Sequence, residues 1–290
     1  ETIMPGRVND FTLKIATVNG TGSASANALL TKAVFRMGVP VMGKNYFPSN
    51  IQGLPTWYEI RVTEPGHLTR SGHVHLMVAM NPETFAKDHA EVTPGGYLPY
   101  DSTWPRVRDF NRDDINIIGV PLADMVNHHF ADARTRILMK NVAYVGALAA
   151  LLDLDLAVIE GLLQETFGES KAKLVAANMQ AVELGHAYVR EHFECPLGLR
   201  VEERDLTDGH IIIDGNTTAA LGAMFAGATV GAWYPLTPST SLMNAFSDFC
   251  ERYRTTEQGE REFAVIQAED ELAAIGMVLG AGWMGARAFT

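Results

Sequence analysis

Apolar and polar residues alternate from Phe11 to Val18 (FTLKIATV), which predicts a first strand. The turn Asn19-Gly20-Thr21-Gly22-Ser23 leads into a helical pattern from about Ala24 to Met37, with Gly38 placed to cap its end. Val39 to Met42 predicts a second strand. The opening therefore reads strand, glycine turn, helix, strand, a right-handed βαβ unit in a parallel sheet. Gly43 to Trp57 is a long loop rich in Gly, Pro and polar side chains, and Trp57 to Val62 alternates as a strand. Val74 to Met80 is a continuous apolar run, hence a buried strand, with a helix expected from Pro82. Gly95 to Trp104 reads as a turn-rich, hairpin-like region, and Ile115 to Val120 as another buried strand.

From Met125 to His192 the pattern becomes helical. Arg134 to Leu152, Leu156 to Phe167 and Lys171 to His192 each carry an apolar stripe at helical spacing, as core helices do. Cys195 to Asp205 then reads as a linker, and a new pattern begins at Gly209. It comprises a helix from Thr218 to about Ala228, a helix from Leu242 to Tyr253 with Ser239 as its cap, a strand from Phe263 to Gln267, and a helix from Leu272 to Ala281. Gly285 to Thr290 is extended. The expected class is α/β, with a first domain at 1–194, a linker at 195–208 and a second domain at 209–290. A second unit this short buries little of its own surface, so it is expected to be the first part of a larger domain.

With 290 residues, 47% hydrophobic and 20% charged, the chain suits a globular protein with real cores. Its net charge of −11 argues against nucleic acid, whose phosphates need a basic surface. The two cysteines form no Cys-x-x-Cys pair and cannot hold an iron–sulfur cluster alone, and a reducing cytosol is the simpler setting. The start has no apolar h-region, and no apolar run is expected to span a membrane, since Val142 to Leu152 is cut off by Asp153 and Asp155.

Several stretches carry candidate chemistry. The glycine turn has two glycines of a dinucleotide fingerprint, but Ser25 stands at the third position and no acidic residue follows the second strand, which argues against NAD. Such a turn can still offer helix N-terminal amides to an anion or a carbonyl. His73 and His75 share one strand face without a third ligand, and the adjacent His128 and His129 read as packing or surface residues. Tyr234-Pro235-Leu236-Thr237-Pro238-Ser239 sets one threonine between two prolines, so Tyr234 and Thr237 are both biased toward extended geometry. Glu269, Asp270 and Glu271 are three carboxylates at a helix start, which the macrodipole favours whatever their task.

The Tyr-Pro-x-Thr-Pro-Ser stretch, together with Gln267-Ala268-Glu269, resembles the pyrimidine-binding domain of 2-oxoacid:ferredoxin oxidoreductases. The first domain, with its Gly20-x-Gly22 start, its Ser49 to Pro55 loop and its helical second half, looks like their gamma domain. The loop is most similar to the 2-oxoglutarate branch. The resemblance implies a fused gamma–alpha subunit that cleaves a 2-oxoacid with coenzyme A to an acyl-CoA and CO₂, passing electrons to ferredoxin. It implies thiamine diphosphate with its pyrimidine end on this chain. The diphosphate, Mg²⁺ and an iron–sulfur (4Fe–4S) cluster would sit on a separate beta subunit.

By the same resemblance, Glu269 would hydrogen-bond the pyrimidine ring nitrogen, best in a dry site that raises its pKa. Thr237 would lie beside the thiazolium and bond the substrate's carboxylate or keto oxygen, and Tyr234 and Pro235 would line the cofactor. Lys44 is the candidate for the far carboxylate of 2-oxoglutarate, with Ser49 and Asn50 supporting its loop. Lys44 is equally readable as a solvated loop lysine. Pyruvate or another 2-oxoacid, or a non-catalytic nucleotide-binding module built on the glycine turn, remain the competing readings.

Overall fold

The computed structural model describes residues 6–47, 53–104 and 110–290. The chain forms two compact units, Glu1–His210 and Ile211–Thr290. The first contains, in order, β1 (Arg7–Val8), β2 (Asp10–Val18), α1 (Ser23–Arg36), β3 (Val41–Tyr46), β4 (Pro55–Thr63), β5 (Val74–Ala79), α2 (Phe85–Glu91), β6 (Val92–Asp101), β7 (Asn116–Val120), α3 (Leu122–His129), α4 (Ala133–Leu152), α5 (Leu156–Phe167), α6 (Ala172–His192) and β8 (Leu199–Arg200).

A six-stranded sheet of order β3-β4-β2-β5-β6-β7 organises this unit. Its β5, β6 and β7 continue parallel from β2, while β4 runs antiparallel to both β2 and β3. The βαβ expectation is corrected on this point: β2 and β3 share a direction but are not neighbours, because β4 fills the place between them. The connection from β3 to β4 is too short for a crossover, so β4 must return antiparallel. Gly95 and Gly96 also depart from expectation, since they lie within β6 rather than in a hairpin turn. Gly95 takes φ +78, and a Cβ on Gly96 would stand 2.7 Å from the His75 carbonyl oxygen. The glycines there serve a strand irregularity, where the pairing with β5 shifts register between Val74 and Leu76.

Alternation along β2 sends Phe11, Leu13 and Ile15 into the main core, shared with α1, α4, α5 and α6. The reverse face carries Thr12, Lys14 and Ala16. The helices α4 and α6 meet at two glycines. A Cβ on Gly146 would lie 1.8 Å from the Val182 carbonyl oxygen, and one on Gly185 would lie 1.9 Å from that of Ala143. By length and composition α4 could cross a bilayer, but its second half, Asn141 to Leu152, is buried in this core. The 195–208 stretch, expected as a linker, is bonded into the first unit. β8 pairs with β1, Val201 N–H donates to the Leu152 carbonyl at 2.8 Å, and Leu199 and Val201 are buried.

The second unit contains α7 (Gly215–Phe225), β9 (Val230–Trp233), α8 (Ser239–Tyr253), β10 (Ala264–Gln267), α9 (Glu271–Trp283) and β11 (Ala288–Phe289). Its parallel sheet has the order β10-β9-β11. Ala220, Met224, Met243, Phe246 and Cys250 form a small core, with Phe246 edge-on to Phe289 at 4.8 Å. Most of α9 lies outside it: only Ala274 is buried, and Leu272, Leu279 and Trp283 are exposed.

Candidate active site

Parallel pairing places Gln267 opposite Trp233, so β9 and β10 end side by side. The Ala268 N–H donates to the Trp233 carbonyl at 2.8 Å and joins the two strand ends. The turn 234–238 and the stretch Ala268-Glu269-Asp270 therefore emerge next to each other at the carboxyl edge of the sheet, where open α/β sheets bind ligands. Tyr234 is 37% exposed, and Pro235, Leu236 and Thr237 are exposed. The Thr237 hydroxyl makes no hydrogen bond among the described residues.

The three carboxylates at the start of α9 have separate tasks. Asp270 is the N-cap, accepting the Ala273 N–H at 2.7 Å, and Glu271 occupies the first turn. Glu269 precedes the cap, is exposed, and makes no hydrogen bond or ion pair among the described residues. The dry surroundings expected for it are not supplied by this chain alone. Ser239 corrects another expectation. It is the first residue of α8 and caps nothing, because its hydroxyl turns back to the Leu236 carbonyl at 2.6 Å.

Asn216, in the first turn of α7, is a residue that the sequence reading passed over. Its side-chain amide donates to the Pro238 carbonyl at 2.9 Å and to Ser241 Oγ at 2.7 Å. Asp214 fixes the start of α7 by accepting from the Thr217 N–H at 2.9 Å and the Thr217 hydroxyl at 2.6 Å. These two bonds hold the Asp214 carboxyl below its usual range. An asparagine after a glycine reads as an ordinary turn residue, so its sequence signal is weak.

The other candidates lie in the first unit. The glycine turn follows β2, with Gly22 as the N-cap of α1 at φ +83, beside a cavity of about 260 Å³ lined by Asn19, Gly20, Gly22, Ser23, Asn27, Asn45 and Thr56. Its polar groups are tied inward: Thr17 donates to Ser23 at 2.9 Å, Asn141 to the Thr21 carbonyl at 2.7 Å, and Tyr144 to Asn27 Oδ1 at 2.7 Å. Lys44 is corrected from loop to strand, because β3 runs on to Tyr46. Its Nζ stands 5.6 Å from the Tyr46 ring centre, and it pairs in register with Glu59, whose buried carboxylate is met by Arg70 at 3.3 Å. Asn45, its neighbour, lines the cavity, so strand alternation sets Lys44 on the opposite face. Ser49 and Asn50 lie outside the described residues.

His75, His128 and His129 are tied into the fold. His75 Nδ1 accepts the Thr12 N–H at 3.0 Å, and burial pushes its pKa down to about 4. The rings of His128 and His129 each bond the carbonyl four residues back at 2.8 Å. Among the described residues no group of three or more His, Cys, Asp or Glu is placed to hold a metal ion.

Comparison with known proteins agrees with this architecture. The family described as pyruvate ferredoxin/flavodoxin oxidoreductase matches residues 12–188, and a thiamine-diphosphate-binding domain of pyruvate flavodoxin/ferredoxin oxidoreductase matches residues 221–290. The chain belongs to the pyruvate ferredoxin/flavodoxin oxidoreductase family. Over 97% of its length it is 25% identical to the alpha subunit of 2-oxoacid:ferredoxin oxidoreductase 2 of Aeropyrum pernix, covering 50% of that protein. It is 22% identical over 98% of its length to the 2-oxoglutarate oxidoreductase subunit KorA of Mycobacterium tuberculosis, covering 46% of it. The chain thus spans about half the length of the curated relatives it matches. In fold it is similar to the 2-oxoglutarate:ferredoxin oxidoreductase of Magnetococcus marinus, solved with 2-oxoglutarate, coenzyme A and succinyl-CoA bound. The TM-score is 0.79 at 23% identity, over 97% of this chain and 47% of that one.

Proposed function

We propose that this chain is part of the alpha subunit of a cytosolic 2-oxoglutarate:ferredoxin oxidoreductase. The reaction converts 2-oxoglutarate and coenzyme A to succinyl-CoA and CO₂, and two electrons pass one at a time to ferredoxin. A beta subunit supplies the diphosphate and Mg²⁺ end of thiamine diphosphate and an iron–sulfur (4Fe–4S) cluster. The observation that carries the proposal is Glu269, the carboxylate at the start of α9 that neither caps the helix nor pairs with another described group.

The residues at the carboxyl edge of β9 and β10 fit the pyrimidine end of the cofactor. A carboxyl group and a hydroxyl stand open there beside the half-exposed ring of Tyr234 and the ring of Pro235. Thiamine diphosphate, when bound, supplies a nucleophilic carbon and a sink for the electrons released by decarboxylation. Glu269 shares a proton with the pyrimidine ring nitrogen, and Tyr234 and Pro235 exclude water from one side of the ring. The Thr237 hydroxyl donates to the carboxylate or keto oxygen of the oxoacid. Lys44, on β3 of the first unit, is the proposed selector for a second carboxylate on the oxoacid.

The substrate assignment is supported by the names of the Mycobacterium and Magnetococcus proteins, while the family description favours pyruvate as the alternative. Coenzyme-A-dependent reduction of a ferredoxin-type dye over a panel of oxoacids separates the two. In the assembled enzyme Glu269→Gln removes proton exchange with the ring and lowers turnover by about 10²–10⁴-fold, with the fold intact. Near-normal turnover in that variant overturns the assignment.

A further inference from the structure

The turn that carries Thr237 has few ties to the rest of its unit. Within it, the Leu236 N–H donates to the Tyr234 carbonyl at 2.9 Å, the Ser239 N–H to the Leu236 carbonyl at 2.8 Å, and the Ser239 hydroxyl also to Leu236. All of these bonds are local. Among the described residues, Asn216 is the only side chain from outside 234–241 that bonds to the turn, and it uses both amide hydrogens to do so. Ser241 closes the arrangement by donating from its hydroxyl to the same Pro238 carbonyl at 3.1 Å.

We infer that Asn216 is a positioning residue for the reaction, acting through Thr237. The inference rests on the proposed function. Its chemistry suits the task. A carboxamide offers two N–H groups in one plane, so it can fix a carbonyl and a hydroxyl together. The carbonyl it holds belongs to Pro238, next to Thr237, and Pro238 has no N–H through which the turn could be held instead. Asn216 is held in turn by the α7 cap, where Asp214 takes both the amide and the hydroxyl of Thr217. The chain of contacts runs from Asp214 through the first turn of α7 to Asn216, and from there to the residue beside Thr237. Releasing the turn leaves Thr237 present but loosely aimed, and loss of aim lowers rate without removing any group that touches substrate.

The test compares Asn216→Ala, Asn216→Asp, Thr237→Val and the double variant Asn216→Ala/Thr237→Val in the complete enzyme with its partner subunit. Asp keeps the shape of Asn but cannot donate, so both single variants at 216 are expected to lower kcat for the oxoacid by roughly 10- to 100-fold, with a smaller change in KM. In the Thr237→Val background Asn216→Ala costs little more, because the two changes act on one unit. Amide hydrogen exchange at Leu236 and Ser239 is expected to quicken in the Asn216 variants, and it is read without turnover. Unchanged exchange overturns the clasp whatever the activity. Faster exchange with wild-type kcat, or with losses that add fully to those of Thr237→Val, overturns the positioning role. If the complete wild-type enzyme has no thiamine-dependent oxoacid turnover, the proposed function fails and the positioning role fails with it, while exchange still decides the clasp alone.

Discussion

The glycine turn after β2 and the paired ends of β9 and β10 both lead from carboxyl strand ends into helices, and they treat their polar groups in opposite ways. After β2, the glycine turn is surrounded by side chains occupied by the fold: Thr17 on Ser23, Thr21 on the Val18 carbonyl, Asn141 on Thr21 and Tyr144 on Asn27. After β9 and β10, Thr237 and Glu269 stand exposed and without a partner among the described residues. Both places have the topology that binds ligands in α/β proteins. The difference shows that topology marks where chemistry can occur, whereas open polar groups mark where it is expected. The cores follow the same division. The first unit closes around backbone-to-backbone helix contacts, and the second leaves the apolar side chains of α9 at its surface.

Glu269→Gln makes the sharpest break in this comparison, because it should abolish most turnover while leaving the melting temperature in place. Gly185→Ala tests the opposite end. The added methyl meets the Ala143 carbonyl of a packed helix rather than a flexible side chain, so α4 and α6 must separate. The expected cost is about 3 kcal/mol, the upper part of the overpacking range, read as a lowered denaturant midpoint. A midpoint equal to that of the wild type would show that the helix pair has slack.

Tyr144→Phe probes the glycine turn itself. It keeps the ring and removes the hydroxyl that satisfies the buried Asn27 oxygen. Stability should fall by about 1–3 kcal/mol, the range for an unsatisfied buried acceptor, with kcat unchanged. A selective loss of kcat at unchanged stability would mean that this turn, too, serves the chemistry, and the contrast between the junctions would dissolve.

The long helices were legible because each carries a sustained stripe: α4, α5 and α6 lie within a residue of their expected bounds. The place of β4 was not. Alternation identifies Trp57 to Val62 as a strand, but it says nothing of which strands lie beside it. Gly95 and Gly96 misled for a related reason, since a glycine pair reads as a turn whether it bends the chain or lets two strands crowd. Ser239 matched a cap by residue type alone, and its hydroxyl found a nearer carbonyl in its own turn. At the start of α9 the pattern offered three carboxylates. Only the structure separates the one that caps from the one left open, while the pyrimidine role proposed for Glu269 rests on resemblance. Asn216 left only a weak signal, because its partners are 22 and 25 residues away.

Lys44 gives the smallest and most discriminating test. The structure sets it on a strand, exposed, on the sheet face opposite the glycine-turn cavity, with the Tyr46 ring beside it. The neighbouring carboxylate, Glu59, is already met by Arg70, so Lys44 forms no ion pair among the described residues. That leaves its ammonium free to meet a substrate carboxylate, and it leaves the fold little reason to need it. An exposed ammonium contributes modestly, so Lys44→Ala should raise KM for 2-oxoglutarate about fivefold and leave KM for a monocarboxylic oxoacid unchanged. Stability should not move. An equal rise for both substrates would remove Lys44 from the specificity of the enzyme. It would then belong with the polar groups of the first unit, whose work is structural.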